Sequence, residues 1–378
     1  QKHGAVAMIT MQSWMFLSSF EALRARLLGQ STLLSMAHLG ARAFDSIGGE
    51  VVSTTAFVLE NANRLDYKGG YLRLVAGNSE AEKNDAIREA VKNRSCGWFY
   101  LASVADFSKI PGSPVAYWLS KSFLSLYDNP ILKDIYDVKE GVGTRNDDVF
   151  MKMCWEVSES HIGRDKRWIL TDKAGDFRKW YMGPDFLMDW ENNGRRIKNY
   201  RNPDGSLRSR PQNLNYLFKE AVAWGLIGSG ITSFRWRPEG YGFASAAPSL
   251  FGENVFATIN QMNSNLVREL LKVRGATINV TSGVVSELPF LKLEGEFSRK
   301  SELIAKQTVI NAKHDWNSFE PAWDFTGLPL LHPDYHQSTL QATYLKLRAH
   351  WREMTLEMQQ LEEENNRIFI DAYGLQDE

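Results

Sequence analysis

At 378 residues the chain has room for two or three domains, and its composition, 43% hydrophobic and 24% charged, is that of an ordinary globular protein. A net charge of −1 offers no global attraction to nucleic acid, so any basic surface must be local. Two cysteines, Cys96 and Cys154, are too few for a disulfide framework and suit a reducing cytoplasm, and there is no signal peptide and no apolar run of about 18 residues to span a membrane.

The chain opens with Gln1-Lys2-His3-Gly4, directly ahead of a strand, as a fragment of a longer protein would begin. Residues 4–12 are almost continuously apolar, which predicts a strand buried on both faces and hence parallel to its neighbours. Ser18 and Ser19 are placed to cap a helix on which Phe20, Leu23, Leu27 and Leu28 recur at helical spacing. Strands are expected at 32–39, 52–60 and 70–75. Buried parallel strands need helices on both faces, and this stretch offers one, so alone it is an incomplete sheet. Residues 79–95 are polar and helical in character, and the interval 79–99 reads as a connector.

From about 98 to 335 the chain carries ten of its tryptophans, many glycines and short alternating strands, the pattern of a mixed α+β domain with long loops. Residues 141–152 read as a tight loop entering a sheet. Two readings stay open for its glycines, a phosphate cradle of backbone N–H groups or a plain turn. Between 161 and 210, twelve Lys/Arg stand against seven Asp/Glu, a local net of +5, with Trp168, Phe177, Trp180, Tyr181, Trp190 and Tyr200 interleaved. Guanidinium groups suit phosphate and guanine edges and aromatic planes suit unstacked bases; equally, this could be a solvated face over core tryptophans.

No metal set is expected. The seven histidines are scattered, and Pro333 breaks the helix that would align His332 with His336. The glycine run 225–230 lacks a strand-then-helix context and reads as a flexible turn. Leu340, Tyr344, Leu347, Trp351, Met354, Met358 and Leu361 form a heptad stripe, continued by Asn365 and Ile368. Residues 341–378 hold four Lys/Arg against eight Asp/Glu, a net of −4. Such a helix is unsuited to DNA and should pack against a partner helix, in this protein or another.

In chain order, AVAMITMQSWMFLSS (5–19), GVGTRNDDVF (141–150), KWY (179–181), WENNG (190–194), AW (223–224), SFRW (233–236), NQMNS (260–264), TIN (277–279), ELP (287–289) and WNSFEPAWDF (316–325) resemble blocks of one family. It is that of the adenine-specific DNA methyltransferases of BREX phage-defence systems and, more broadly, of fused methyltransferase–specificity proteins of restriction-modification systems. The resemblance implies transfer of a methyl group from S-adenosylmethionine to the exocyclic amine of adenine in double-stranded DNA. The family's Asn/Asp-Pro-Pro-Tyr/Phe and glycine-rich F-x-G-x-G motifs are absent here, so the resemblance implies that the cofactor and the chemistry belong to a missing N-terminal part and that this chain alone is inactive. It further implies the C-terminal part of a Rossmann-like α/β methyltransferase sheet (1–78), a connector (79–99), an α+β target-recognition domain (100–335) and a C-terminal helical spacer (336–378).

Phe44 stands where the family places a ring that stacks on the flipped adenine; the other reading is a loop phenylalanine anchoring a hairpin. Candidate DNA contacts are Thr144, Arg145, Asn146, Lys166, Arg167, Arg178, Lys179, Trp180, Arg195, Arg196, Arg235 and Arg237. Two rival readings remain: a non-catalytic specificity subunit that only recognises DNA, and a scaffold whose C-terminal helix binds other defence proteins.

Overall fold

The apolar run after Gly4 does form a strand, β1 (Ala5–Met11), but an exposed one. The computed structural model describes residues 3–46, 52–228, 231–274 and 279–376. Contacts within the chain divide it into a first unit, Gln1–Asn129 with the short run 273–275, and a second holding Pro130–Lys272 and nearly all that follows. Among the described residues, no helix is long and apolar enough to cross a membrane.

The first unit adds β2 (Thr32–Gly40), β3 (Thr54–Glu60), β4 (Gly69–Arg73) and β5 (Phe99–Ala102) in a sheet ordered β1-β3-β2-β4-β5. β3 lies antiparallel between β1 and β2, while β4 is parallel to β2. β1, β2 and β4 therefore run the same way and end on the same side. The sequence predicts β1 to be buried and parallel to its neighbour. Instead six of its seven residues are exposed and its partner is antiparallel. An all-apolar run has no period to distinguish an interior strand from an edge.

Helix α1 (Glu21–Gln30) and the turn before it cover one face of the sheet, burying Trp14, Met15, Leu28, Leu33, Met36 and Phe57 in one cluster. Ser18 and Ser19 do not cap α1. They sit in a 3-10 turn, and the cap position falls to Phe20, without a side-chain bond. Arg24 does the anchoring: its buried guanidinium donates to the carbonyls of Trp14, Leu17 and Gly112 at 3.0, 2.6 and 2.9 Å.

Helix α2 (Glu80–Lys92), capped by Ser79, occupies the stretch read as a connector, which lies inside the first unit. Its Lys83 is buried and donates to the carbonyls of Leu39 and Leu74, at 2.7 and 2.8 Å, at the ends of β2 and β4. Beside it, His38 on β2 is buried between the Tyr117 hydroxyl (3.0 Å) and Gln12 Oε1 (2.7 Å). Burial, then the charges of Arg73 and Lys83, push its pKa down to about 4, so the imidazole is neutral at pH 7.

The second unit holds β6 (Asp137–Lys139), β7 (Met151–Met153), β8 (Trp168–Asp172), β9 (Trp180–Tyr181), β10 (Phe186–Asp189), β11 (Ala221–Trp224), β12 (Phe234–Arg237), β13 (Gly242–Phe243) and β14 (Ser249–Phe251). They form two sheets, ordered β13-β8-β10-β7 and β6-β14-β11-β12-β9. Two long helices, α3 (Gly295–Trp316) and α4 (Leu340–Tyr373), pack together, while Leu340, Tyr344 and Trp351 of the heptad stripe stay exposed. Leu347 and Ile368 are buried, Asn311 on α3 donates to Glu357 on α4 at 3.1 Å, and Gly374 ends α4 in the left-handed region. Of the glycine run 225–230, residues 229 and 230 lie outside the described residues.

Along Phe234-Arg235-Trp236-Arg237 the two-residue period of a strand sends both arginines to one face. There they meet Asp172, at the end of β8 in the other sheet, at 2.6 and 3.5 Å. All three are buried. Burial alone would raise the Asp172 pKa, but the two guanidiniums outweigh it and hold the carboxyl below its ordinary range.

Removing one member of a buried ionic cluster strands the rest in a dry interior. Asp172→Ala should therefore cost about 3–5 kcal/mol of stability, read by denaturant unfolding; a loss under about 1 kcal/mol would contradict the assignment. His38 has a folded pKa below the ordinary histidine value of about 6.5, so its contribution is whole above that pH and is lost as pH falls toward about 4. Thermal midpoints should drop across that window, and His38→Gln should flatten the drop.

Candidate nucleic-acid interface

In the loop at 141–147 every glycine-dependent feature is a packing feature. A Cβ on Gly141 would sit 2.1 Å from the Phe243 carbonyl oxygen. Val142 N–H donates to Phe243 O at 2.9 Å, and Gly143 exchanges two backbone bonds with Arg210, at 2.9 and 2.7 Å. The Asn146 N–H donates to the Thr144 hydroxyl at 3.4 Å. The N–H groups of Val142, Gly143 and Asn146 are thus engaged within the chain, as in a plain turn.

Thr144 is buried and donates its hydroxyl to Asp147, which pairs in turn with Lys173 at 2.8 Å. It shapes the loop and does not face solvent. Arg145 does: it is exposed, sits in the left-handed region (φ 60°) and has no hydrogen bond or ion pair from its side chain to another described residue. Asn146 donates from Nδ2 to the Tyr200 hydroxyl at 3.0 Å, which ties this loop to the segment after β10.

That segment begins with three consecutive left-handed residues, Asn192, Asn193 and Gly194. A Cβ on Gly194 would lie 2.6 Å from the Trp190 ring, so the reversal needs glycine there. It presents Arg195, Arg196 and Lys198. The buried carboxylate of Asp189 accepts from Arg196 and, at 3.3 Å, from Arg167. Cations also lie over rings: Arg196 on Phe150 (5.5 Å), Lys198 on Trp190 (5.5 Å), Arg208 on Tyr200 (5.3 Å) and Arg167 on Trp168 (5.3 Å). The aromatics thus serve as platforms beneath cations. Lys166 and Arg195 are exposed and, like Arg145, have no side-chain partner among the described residues.

The other candidates go elsewhere. Arg178 pairs with Asp315 at 2.6 Å and lies 5.1 Å over Trp316. Lys179 and the Trp180 indole N–H both donate to Glu362 on α4, each at 2.8 Å. Trp180 is 2% exposed, so it cannot stack on a base. Arg235 and Arg237, 2% and 3% exposed, are the buried partners of Asp172 and are likewise withdrawn from any DNA surface. Their alternation reads equally well as a solvent-facing row, and the carboxylate that draws them inward lies 63 residues upstream of Arg235. Arg208 and Tyr200 were not among the candidate contacts read from the sequence. Their place within the basic, aromatic run was the one signal that could have found them. Phe44 is half-buried in the loop after β2, and residues 47–51 beyond it lie outside the described residues.

No family model matches the chain. Over its full length it is 38% identical to the adenine-specific methyltransferase PglX of Lacticaseibacillus casei (strain Zhang), of which it covers 33%. Over 99% of its length it is 32% identical to the adenine-specific methyltransferase BrxX of Escherichia coli O9:H4 (strain HS), of which it covers 30%. The structure of the Type IIL restriction-modification enzyme MmeI in complex with DNA is similar in fold, with a TM-score of 0.50 and 8% identity over 99% of this chain and 47% of that one. The chain is thus related in sequence, over essentially its whole length, to two adenine-specific methyltransferases, PglX and BrxX, and spans about a third of the length of these curated relatives.

Proposed function

We propose that this chain is the DNA-reading part of a site-specific adenine DNA methyltransferase of a BREX system, together with the end of its catalytic sheet. The observation that carries the reading is the row of exposed cations on neighbouring loops of the second unit. Arg145, Lys166 and Arg195 have no partner among the described residues, and Arg167 and Arg196 share one carboxylate. Cations held at a surface without a countercharge attract a polyanion, and guanidiniums suit phosphate and guanine edges.

The order β1-β3-β2, with an antiparallel strand between two of like direction, supports placing the first unit at the end of a Rossmann-like methyltransferase sheet. The exposed β1 edge would take the rest of that sheet. Among the described residues, the side chains gathered at the ends of β1, β2 and β4, Gln12, His38 and Arg73, include no carboxylate for a ribose. This region does not fit S-adenosylmethionine, which on this reading is held by the part of the protein outside the chain and supplies the methyl group. The loop ring Phe44 stacks on the flipped adenine, offsetting part of the cost of unpairing.

In the full-length protein, Arg145→Glu combined with Arg195→Glu should weaken binding to duplex DNA. It should also flatten the dependence of log affinity on log salt by about 0.9 for each phosphate that is no longer neutralised. Arg178→Ala should leave that slope unchanged, since Arg178 is already paired; an unaltered slope in the double variant would sink the reading. Phe44→Ala should lower the methylation rate more than DNA affinity, and equal losses would return Phe44 to a hairpin anchor.

A further inference from the structure

The three like-directed strands of the first unit end beside a cluster that neither the cation row nor Phe44 includes. His38 and Arg73 are paired in register across β2 and β4, and Gln12 follows directly on β1. Around them stand Phe16 and Trp118, both half-buried, with ring centres 5.7 Å apart and steeply inclined. His38 lies 5.9 Å from Phe16 and 6.3 Å from Trp118, and the exposed Arg73 guanidinium is 5.2 Å over the Trp118 ring. Ligands of sheets with parallel strands gather at the carboxyl ends of those strands.

The hydrogen bonds fix what this cluster can offer. Gln12 Oε1 accepts from His38 Nε2–H, which leaves His38 Nδ1 to accept the Tyr117 O–H. The imidazole tautomer and the orientation of the amide are thus coupled, with the buried Tyr117 hydroxyl on the other ring nitrogen. The Gln12 NH2 group remains, with no acceptor among the described residues. With its oxygen turned to His38, the amide presents its NH2 group as a donor. Beside two aromatic rings and a cation, it suits a purine that presents a ring nitrogen, with phosphate near the guanidinium.

We infer that Gln12 is a specificity-determining contact to the target adenine, donating to a ring nitrogen of the flipped base, with Phe16 and Trp118 as walls and Arg73 toward the flanking phosphate. His38 and Tyr117 are positioning residues that hold the Gln12 amide in its donating orientation. Donation to a ring nitrogen makes no use of the exocyclic amine, which stays available to receive the methyl group. Guanine has the same ring nitrogens, so this contact selects purine over pyrimidine, and discrimination between the two purines falls to other groups. The inference rests on the reading of the chain as part of an adenine methyltransferase.

The test uses the full-length methyltransferase and a duplex bearing the sequence it is found to methylate, with the target adenine intact or replaced by 7-deazaadenine or 3-deazaadenine. One of the two replacements should lower wild-type kcat/KM about tenfold, the scale of one missing hydrogen bond. Gln12→Ala should lose about as much on adenine and nothing further on that same analogue. His38→Gln should lose less than Gln12→Ala, and Trp118→Leu should reduce the fluorescence rise of 2-aminopurine placed at the target. Thermal melts and S-adenosylmethionine binding monitor folding of the variants, and the analogue comparison on wild type needs no variant at all. If neither analogue costs the wild-type enzyme anything, or if the Gln12→Ala and analogue losses multiply, the inference is overturned while the methyltransferase reading stands. A wild-type protein that methylates no DNA overturns both.

Discussion

Two guanidinium groups, Arg235 and Arg237, are held out of water by a single carboxylate, Asp172, where the two sheets of the second unit meet. Desolvating three charged groups is costly, and the cluster is tolerated because its members compensate one another. It also sets register. If β12 slipped by one residue, the two arginines would swap faces with Phe234 and Trp236, and the carboxylate at the end of β8 would be left alone. Residual donors on both arginines lack acceptors among the described residues, so the cluster is poorly satisfied and specifies structure more than it adds stability. The loops that carry the exposed cations hang from these same sheets. Arg167 directly precedes β8, and Arg195 and Arg196 follow the turn after β10.

The second unit therefore sorts one basic composition into three classes by where each countercharge lies. Arg235 and Arg237 are consumed inside. Arg178 and Lys179 are consumed at the acidic faces of α3 and α4, by Asp315 and Glu362. The remainder, on the 141–147, 163–167 and 190–198 segments, keeps its charge toward solvent. This explains how a chain of net charge −1 carries a local cationic surface. It also explains the acidic bias of the C-terminal helix, whose carboxylates pair with lysines and an indole of the same unit and hold it in place.

Strands and helices with a clear period were legible in the sequence: β2, β3, β4 and α4 fall where the apolar spacing puts them. What failed was anything decided at long range. The edge position of β1 depends on β3 inserting between it and β2, and the run Ala5–Met11 has no polar face to reveal that. The four-residue strand Phe234–Arg237 alternates as a surface strand would, and only its partner Asp172 turns the arginines inward. Within the candidate interface, Lys166, Arg167, Arg195 and Arg196 stand in the basic run 161–210, and Arg145 and Asn146 in the separate loop 141–152. Their assembly needed the Asn146–Tyr200 and Gly143–Arg210 contacts, which cross about sixty residues of chain and follow no local period.

We propose that DNA is read by the cations left unpaired on these loops and not by basic residues in general. Photo-crosslinking of the full-length protein to duplex DNA, with the attached peptides identified by mass spectrometry, tests this most directly. Crosslinks are expected in the segments around residues 145, 166 and 195, and none at 178–180 or 235–237. Crosslinks concentrated at 178–180 or along α4, with the three loops untouched, would contradict it.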